Sequence, residues 1–149
     1  MTPALFFAAL SGAVVSSLVP LVNAELLLIG FALASPAAAP LLVVVMAAGQ
    51  MVGKSILFLG GGRLTRASLE TRLARWRLDR PGRRGGAPLI GISAVTGLPP
   101  FYLVSIAAPA LGVSFRTFFT VGLAGRLFRF GALVALPQLI AHSTRIGGM

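Results

Sequence analysis

The chain has no cysteine, one histidine and only three acidic residues among its 149 residues. Without cysteine it forms neither a disulfide nor a thiolate metal site, and the redox compartment stays open. One histidine and three acids cannot supply a nucleophile–base pair or a metal-binding cluster. We therefore predict no enzymatic activity, no cofactor and no bound metal.

Charge is also scarce, because 11% of the residues are charged and 56% are hydrophobic, against about 25% and 45–50% in soluble domains. A net charge of +10 would ordinarily indicate a nucleic-acid partner. Eight of the thirteen basic residues, however, lie within residues 63–84, which is typical of a cytoplasmic loop. The composition therefore predicts an integral membrane protein with no nucleic-acid partner and this loop in the cytoplasm.

Two apolar runs are long enough to cross a bilayer, which takes about 20 residues. They cover residues 41–59 and 115–141, and Gly60-Gly61-Gly62 is expected to end the first. A further helix is expected over Pro3–Leu18. Because no Lys or Arg precedes it, it lacks the basic start of a signal peptide and is predicted to be retained.

Proline interrupts two other apolar runs, residues 20–40 and 87–112, and prevents a helix from continuing through either. Irregular backbone is tolerated in a membrane only where protein or water covers it. We therefore predict two re-entrant hairpins, each entering and leaving the membrane on one side. The residues expected at their breaks are Pro20, Pro36, Pro40, Pro99 and Pro100.

The two halves of the chain have similar patterns. Each has a proline-broken segment followed by a long span, and the spans carry Gly53-Lys54 and Gly125-Arg126 respectively. Broken hydrophobic segments in corresponding positions indicate an inverted repeat with a site near the bilayer midplane.

The predicted fold is a single all-α polytopic membrane domain over residues 1–149. It has about three spanning helices, and its two re-entrant hairpins form a pseudo-inverted repeat. The first half covers residues 1–62 and the second 87–141, joined by a basic linker, 63–86, with a cytoplasmic amphipathic helix.

The basic linker carries Leu69, Leu73 and Trp76 on one helical face, with most of its arginines elsewhere. This pattern favours a helix lying in the membrane interface. A solvated charged connector is the alternative.

Glycines predict close contacts between helices. Gly49 and Gly53 form a small-xxx-small pair, and Gly125 lies in the last span. The contact of the pair is either within the chain or between the subunits of a homo-oligomer.

Four ionisable residues lie inside apolar stretches: Glu25, Lys54, Arg126 and Arg129. A lone charge in hydrocarbon costs several kcal/mol or more, so such residues face a protein interior or a wet cavity. At ordinary protonation states about two positive charges remain uncompensated. We expect an anionic lipid headgroup to balance them.

Arg126 and Arg129 are three residues apart and are predicted to form a fork suited to phosphate. The alternatives are snorkelling to headgroups, which is also open to Lys54, or a salt bridge to Glu25. Glu25 is a candidate proton carrier or a counter-ion, and Asn23 a hydrogen-bonding neighbour of the same site.

Residues 48–55 read Ala-Gly-Gln-Met-Val-Gly-Lys-Ser, which satisfies a relaxed nucleotide-binding P-loop pattern. A P-loop requires a strand before it, a helix after it and an acidic magnesium ligand. The segment lies inside a predicted span, so we predict that it binds no nucleotide.

Taken together, these motifs resemble the DedA family, also called the VTT or SNARE-associated Golgi-protein family, and its small short-chain branch. The matching features include Glu25 after Pro20, Gly53-Lys54, the Leu98-Pro99-Pro100-Phe101 break and the Gly-Arg-x-x-Arg pattern that contains Arg126. The resemblance implies two opposed re-entrant hairpins, a bacterial inner membrane and translocation of phospholipid or polyprenyl phosphate. Members often carry a second hairpin acid, which this hairpin lacks through Pro40, so proton coupling stays open.

Three functions are therefore considered. The first is lipid translocation of the flippase or scramblase type, with headgroups held by Arg126, Arg129 and Lys54. The second is proton- or ion-coupled transport of a small solute. The third is a scaffold without transport activity that acts through its basic interfacial helix.

Overall fold

Helices dominate the computed structural model, which describes residues 1–19, 22–75 and 83–146. They are α1 (Pro3–Leu18), α2 (Ala24–Ala34), α3 (Ala39–Arg75), α4 (Arg83–Thr96), α5 (Phe101–Ala107) and α6 (Phe115–Ile146). A 3₁₀ turn over Pro36–Ala38 joins α2 to α3. These three described stretches contain no strand, so the predicted all-α class is confirmed.

Some predictions concern parts of the chain that the structure does not describe. Pro20 and Trp76 lie outside the described residues, and side chains are described only for residues 1–19, 22–62 and 86–136. The predicted apolar face of the basic linker therefore stays a prediction, although its backbone is helical up to Arg75.

The first helix begins and ends where the sequence predicts. The hydroxyl oxygen of Thr2 accepts a hydrogen bond from the Leu5 amide at 3.3 Å, which caps the helix start. Pro3 occupies the first turn, where its missing N–H would have no partner in any case. The predicted helix Pro3–Leu18 is confirmed.

Two helical stretches are long and apolar enough to cross a membrane: Pro36–Gly62, with 27 residues, and Phe115–Leu136, with 22. α1 is also apolar, but its 16 residues rise only about 24 Å, less than the roughly 30 Å of a hydrocarbon core. Among the described helices, two rather than three therefore reach spanning length.

α3 runs straight through Gly60-Gly61-Gly62, so the prediction that these glycines end the helix is wrong. Glycine costs about 1 kcal/mol relative to alanine inside a helix, and packing offsets that cost here. A Cβ on Gly61 would lie 2.6 Å from the carbonyl oxygen of Ile106, so this glycine lets the α5 backbone lie directly on α3.

The second apolar run breaks where the sequence predicts. α4 ends at Thr96, Gly97 has φ +80°, and the Leu98–Pro99 peptide is cis. Pro100 then precedes the two-turn helix α5, which ends at Ala107. The Ser114 hydroxyl accepts a hydrogen bond from the Thr117 amide at 3.1 Å and caps α6.

The helices pack in the same manner in both halves of the chain. α1 lies along α3 in the first half, and α4 lies along α6 in the second. Each short helix also contacts the long helix of the other half, α2 against α6 and α5 against α3. The two long helices, α3 and α6, contact each other. This arrangement brings the middle of α3 and the middle of α6 together at the centre of the molecule.

Two buried apolar clusters hold this arrangement together. The first joins α1, α2, α3 and α6 through residues that include Leu28, Met46 and Phe130. The second joins α3 to α6 through α4 and α5, with Met51 and Phe118 fully buried. Every described α-helix therefore contributes residues to one of the two clusters. This packing fixes the positions of the polar side chains on the same helices.

Candidate charged site between the two halves

Gly53 precedes Lys54 and Gly125 precedes Arg126, and each glycine allows a neighbouring helix to pack closely against its own. A Cβ on Gly53 would lie 2.9 Å from the Cβ of Ser17 on α1, and one on Gly125 would lie 2.6 Å from the Cβ of Ala94 on α4. Gly49 also meets α1, since its Cβ would lie 2.8 Å from that of Ala13. The Gly49 and Gly53 pair therefore makes a contact within the chain.

Glu25 and Arg129 form an ion pair between α2 and α6, joining Oε1 of the carboxylate to Nη2 of the guanidinium. Arg129 Nη1 also donates a hydrogen bond to the Val95 carbonyl on α4, at 3.2 Å. Both side chains are partly accessible, at 29% for Glu25 and 24% for Arg129. Of the three cations proposed as partners of Glu25, the structure places Arg129 against it.

Gly97 allows the Arg129 guanidinium to reach this position. Its positive φ places the backbone in the left-handed region, and a Cβ there would lie 2.6 Å from Nη1 of Arg129. In the sequence this glycine directly precedes the Leu98-Pro99-Pro100-Phe101 break. Its second role depends on a contact across 32 residues, which no local pattern reveals.

Lys54 is buried, with 5% of its surface exposed. Its Nζ donates a hydrogen bond to the Ser17 carbonyl at the end of α1, at 2.5 Å, and lies 5.9 Å from the centroid of the Tyr102 ring. The side chain therefore turns into the protein rather than snorkelling to an interface.

Arg126 lies against the ring of Phe101, with its guanidinium carbon 4.8 Å from the ring centroid. Its Nε is buried and has no hydrogen-bond partner among the residues whose side chains the structure describes. It is close enough to Lys54, Arg129 and Glu25 to interact with all three charges. A buried guanidinium nitrogen without an acceptor is costly, so this group is suited to receive an anion.

The two arginines of the predicted fork contact different groups. Arg129 is engaged by Glu25 and Val95, whereas within the described residues no carboxylate pairs with Arg126 or Lys54. The uncompensated positive charge therefore lies around Arg126 and Lys54, on the α5 side of the cluster.

Two consecutive aromatic residues form one wall of the cationic site. Phe101 is buried beneath Arg126 and Tyr102 lies near Lys54, both directly after the Pro99-Pro100 break. The face of an aromatic ring attracts a cation but accepts no conventional hydrogen bond from it. The two rings therefore hold the Lys54 and Arg126 side chains in place without accepting hydrogen bonds from their N–H groups. The sequence pattern did not reveal this role, although two aromatic residues directly follow two prolines.

A polar seam between α1 and α3 was also missed. Gln50, one turn before Lys54, donates from Nε2 to the Ser16 hydroxyl at 3.1 Å, and its Oε1 is buried without a partner. Ser16 in turn donates to the Ala13 carbonyl at 2.9 Å. These residues extend the polar interior from Lys54 along α1.

Asn23 and the described prolines of the predicted breaks lie at the ends of helices. The Asn23 side chain accepts a hydrogen bond from the Glu25 amide at 2.8 Å and so caps α2. Pro36 begins the 3₁₀ turn and Pro40 lies in the first turn of α3, both exposed. Pro99 and Pro100 are also exposed at the break before α5.

Residues 48–55 belong to the continuous helix α3 and do not have the strand–loop–helix geometry of a P-loop. In the part of the chain that the structure describes, His and acidic residues form no group that could hold a metal ion. No known protein family, no curated protein and no solved structure matches the chain.

Proposed function

We propose that this chain is an integral membrane protein that translocates lipids with anionic phosphate headgroups. The observation that carries the proposal is the half-buried Arg126, whose buried Nε lacks an acceptor among the described residues and whose neighbour Lys54 is also a cation. A phosphate bound between them would supply both acceptors and negative charge.

Two long apolar helices support the membrane location, since each carries one of these cations. Lys54 lies eight residues before Gly62, and Arg126 lies near the middle of Phe115–Leu136. Arg126 lies 11 positions after Phe115, which corresponds to about 17 Å along the helix, near the middle of a 30 Å core. A cation at that depth is costly unless it serves a polar pathway.

In the proposed mechanism the headgroup enters the space beside α5 while its chains stay in the bilayer. Lys54 and Arg126 bind the phosphate, with the Tyr102 ring beside Lys54 and the Phe101 ring beneath Arg126. Glu25 holds Arg129 when the site is empty and releases it when phosphate competes for the guanidinium. No covalent step is involved.

The remaining features of this proposal follow the DedA resemblance. They are the re-entrant arrangement of α2 and of α4–α5, a third crossing by α1, a bacterial inner membrane and a cytoplasmic basic linker. The equivalent packing of α1 on α3 and α4 on α6 supports a two-half repeat, and the helix breaks supply the irregular backbone that re-entrant segments need.

A translocation assay in proteoliposomes with a fluorescent phosphatidylglycerol tests the proposal. We expect fast translocation without an imposed gradient, and loss of it in Arg126→Gln. Arg116→Gln is the matched control, because Arg116 is an exposed arginine on the same helix. Full activity in Arg126→Gln would overturn the mechanism.

The same preparation separates the other functional classes. A coupled solute transporter would move no lipid without a gradient. A scaffold would lose function when Arg66, Arg72, Arg75 and Arg77 are replaced together, while Glu25→Gln would leave its function unchanged.

A further inference from the structure

An open groove of about 480 Å³ lies between α4 and α6 on the outside of the charged site. From the structure we infer that this groove holds one acyl or isoprenoid chain of the lipid whose phosphate the cations bind. The inference rests on the proposed function, and adds to it a specific path for the hydrocarbon.

The shape of the groove comes from small residues. Gly91 on α4 and Ala124 and Gly125 on α6 line it, while Phe128, 68% exposed, stands beside it. Thr120 is the lining residue with a hydroxyl, and that hydroxyl already donates to the Arg116 carbonyl at 2.8 Å. The groove therefore offers a concave apolar wall with its polar side chain satisfied, which suits hydrocarbon and not a polar solute.

One end of the groove meets the charged site. Val95 lines the groove with its side chain, and its carbonyl accepts the hydrogen bond from Arg129. Gly125, also in the lining, lies one turn before Arg129 on the same face of α6. This continuity between an apolar groove and a cationic centre is what a molecule with a phosphate head and a hydrocarbon tail requires, and it selects a lipid chain over a second protein as the occupant.

The geometry also gives the chain a direction. The headgroup lies at the end formed by Val95 and Phe128, and the tail runs toward Gly91 and Thr120. Thr120 and Phe128 are eight residues apart, about 12 Å along α6. Lipid that merely surrounds the protein would have the opposite order, with its headgroup at the bilayer surface near the start of α6 and its chain end toward the midplane.

Photo-crosslinking in nanodiscs tests the direction. Phosphatidic acid carries a diazirine either near the acyl carboxyl or at the end of the chain, and the labelled residues are mapped by mass spectrometry. We expect the first probe to label residues near Val95 and Phe128, and the second to label residues near Gly91 and Thr120. The same labelling pattern from both probes, or labelling no stronger than at exposed Leu26 and Val52, would overturn the inference.

A binding experiment separates this inference from the proposed function. Ala124→Leu fills the groove, and Ala48→Leu makes the same change at an exposed position on α3. We expect Ala124→Leu to weaken binding of long-chain phosphatidic acid about tenfold, equivalent to losing the burial of roughly two methylene groups. Binding of glycerol 3-phosphate should be unchanged in both variants and lost in Arg126→Gln.

If Ala124→Leu binds the long-chain lipid as wild type does while Arg126→Gln does not, the groove inference is wrong and the phosphate site stands. If Arg126→Gln also binds both compounds normally, the proposed phosphate site fails, and the groove inference fails with it.

Discussion

The backbone of Gly97 lies directly against the guanidinium of Arg129, which is held on its other side by Glu25. A break in the second half of the chain thereby supports an ion pair to the first half. The charged site and the helix break are consequently one structural unit.

Gly97→Ala is expected to destabilise the protein by more than the strain of its positive φ alone. That strain costs about 1–2 kcal/mol for a non-glycine residue. Gly112→Ala is the matched control, because Gly112 has φ +73° but open space around its Cβ position. Unfolding in detergent followed by circular dichroism should show a greater loss for Gly97→Ala. Equal losses would mean that Arg129 moves aside at no cost.

The Glu25 and Arg129 side chains should be energetically coupled. Removing either one leaves the other without its charged partner, whereas removing both leaves neither charge unpaired. We expect a double-mutant cycle of Glu25→Gln and Arg129→Gln to give a coupling of about 1–3 kcal/mol. Pairing Glu25→Gln with Arg116→Gln provides the reference cycle, whose coupling should be close to zero. A coupling near zero for both cycles would show that the ion pair contributes nothing to stability.

Gly49→Ala should loosen the contact between α1 and α3. Its Cβ would lie 2.8 Å from that of Ala13, closer than real side chains approach. Overpacking of this kind costs about 1–3 kcal/mol. Gly60→Ala on the same helix has open space and should leave stability unchanged or raise it, since alanine favours helix by up to about 1 kcal/mol. A similar effect of both substitutions on the unfolding midpoint would contradict close packing at Gly49.

The sequence predicted the features that depend on local chemistry. Proline and glycine placed the break after Thr96, and the first apolar run predicted the helix Pro3–Leu18. The sequence also identified the four ionisable residues that lie inside apolar stretches. It did not predict that α3 continues through Gly61, because the backbone of Ile106 on a distant helix determines this.

The partners within the site were equally inaccessible to sequence reasoning. Any of three cations was a suitable partner for Glu25 by charge alone. The contact of α2 with α6 favours the two arginines over Lys54, and the tertiary structure pairs Glu25 with Arg129. The contact of Arg126 with Phe101 likewise depends on how α5 folds back after its two prolines.

Gln50→Leu is expected to leave the protein as stable as wild type or more stable. The substitution removes a buried Oε1 that has no partner, and Ser16 keeps its hydrogen bond to the Ala13 carbonyl. Replacing an unsatisfied buried polar group by an apolar one recovers a penalty of about 1–3 kcal/mol, less the lost bond to Ser16. The free energy of unfolding measures this. A clear destabilisation would indicate that Oε1 is occupied in solution, for example by a bound water.

Arg126→Met should raise stability while it removes function. The substitution relieves an unpaired buried Nε and the repulsion from Lys54, and an apolar side chain of similar length fits above the Phe101 ring. Replacing buried charges by well-packed apolar residues is often stabilising by about 1–4 kcal/mol. Unfolding in detergent and lipid translocation in vesicles, measured on the same preparation, give the two readouts. A site that binds an anion should trade stability for activity in this way. If Arg126→Met is instead strongly destabilised, the guanidinium has partners that stabilise the empty protein, and its role is structural.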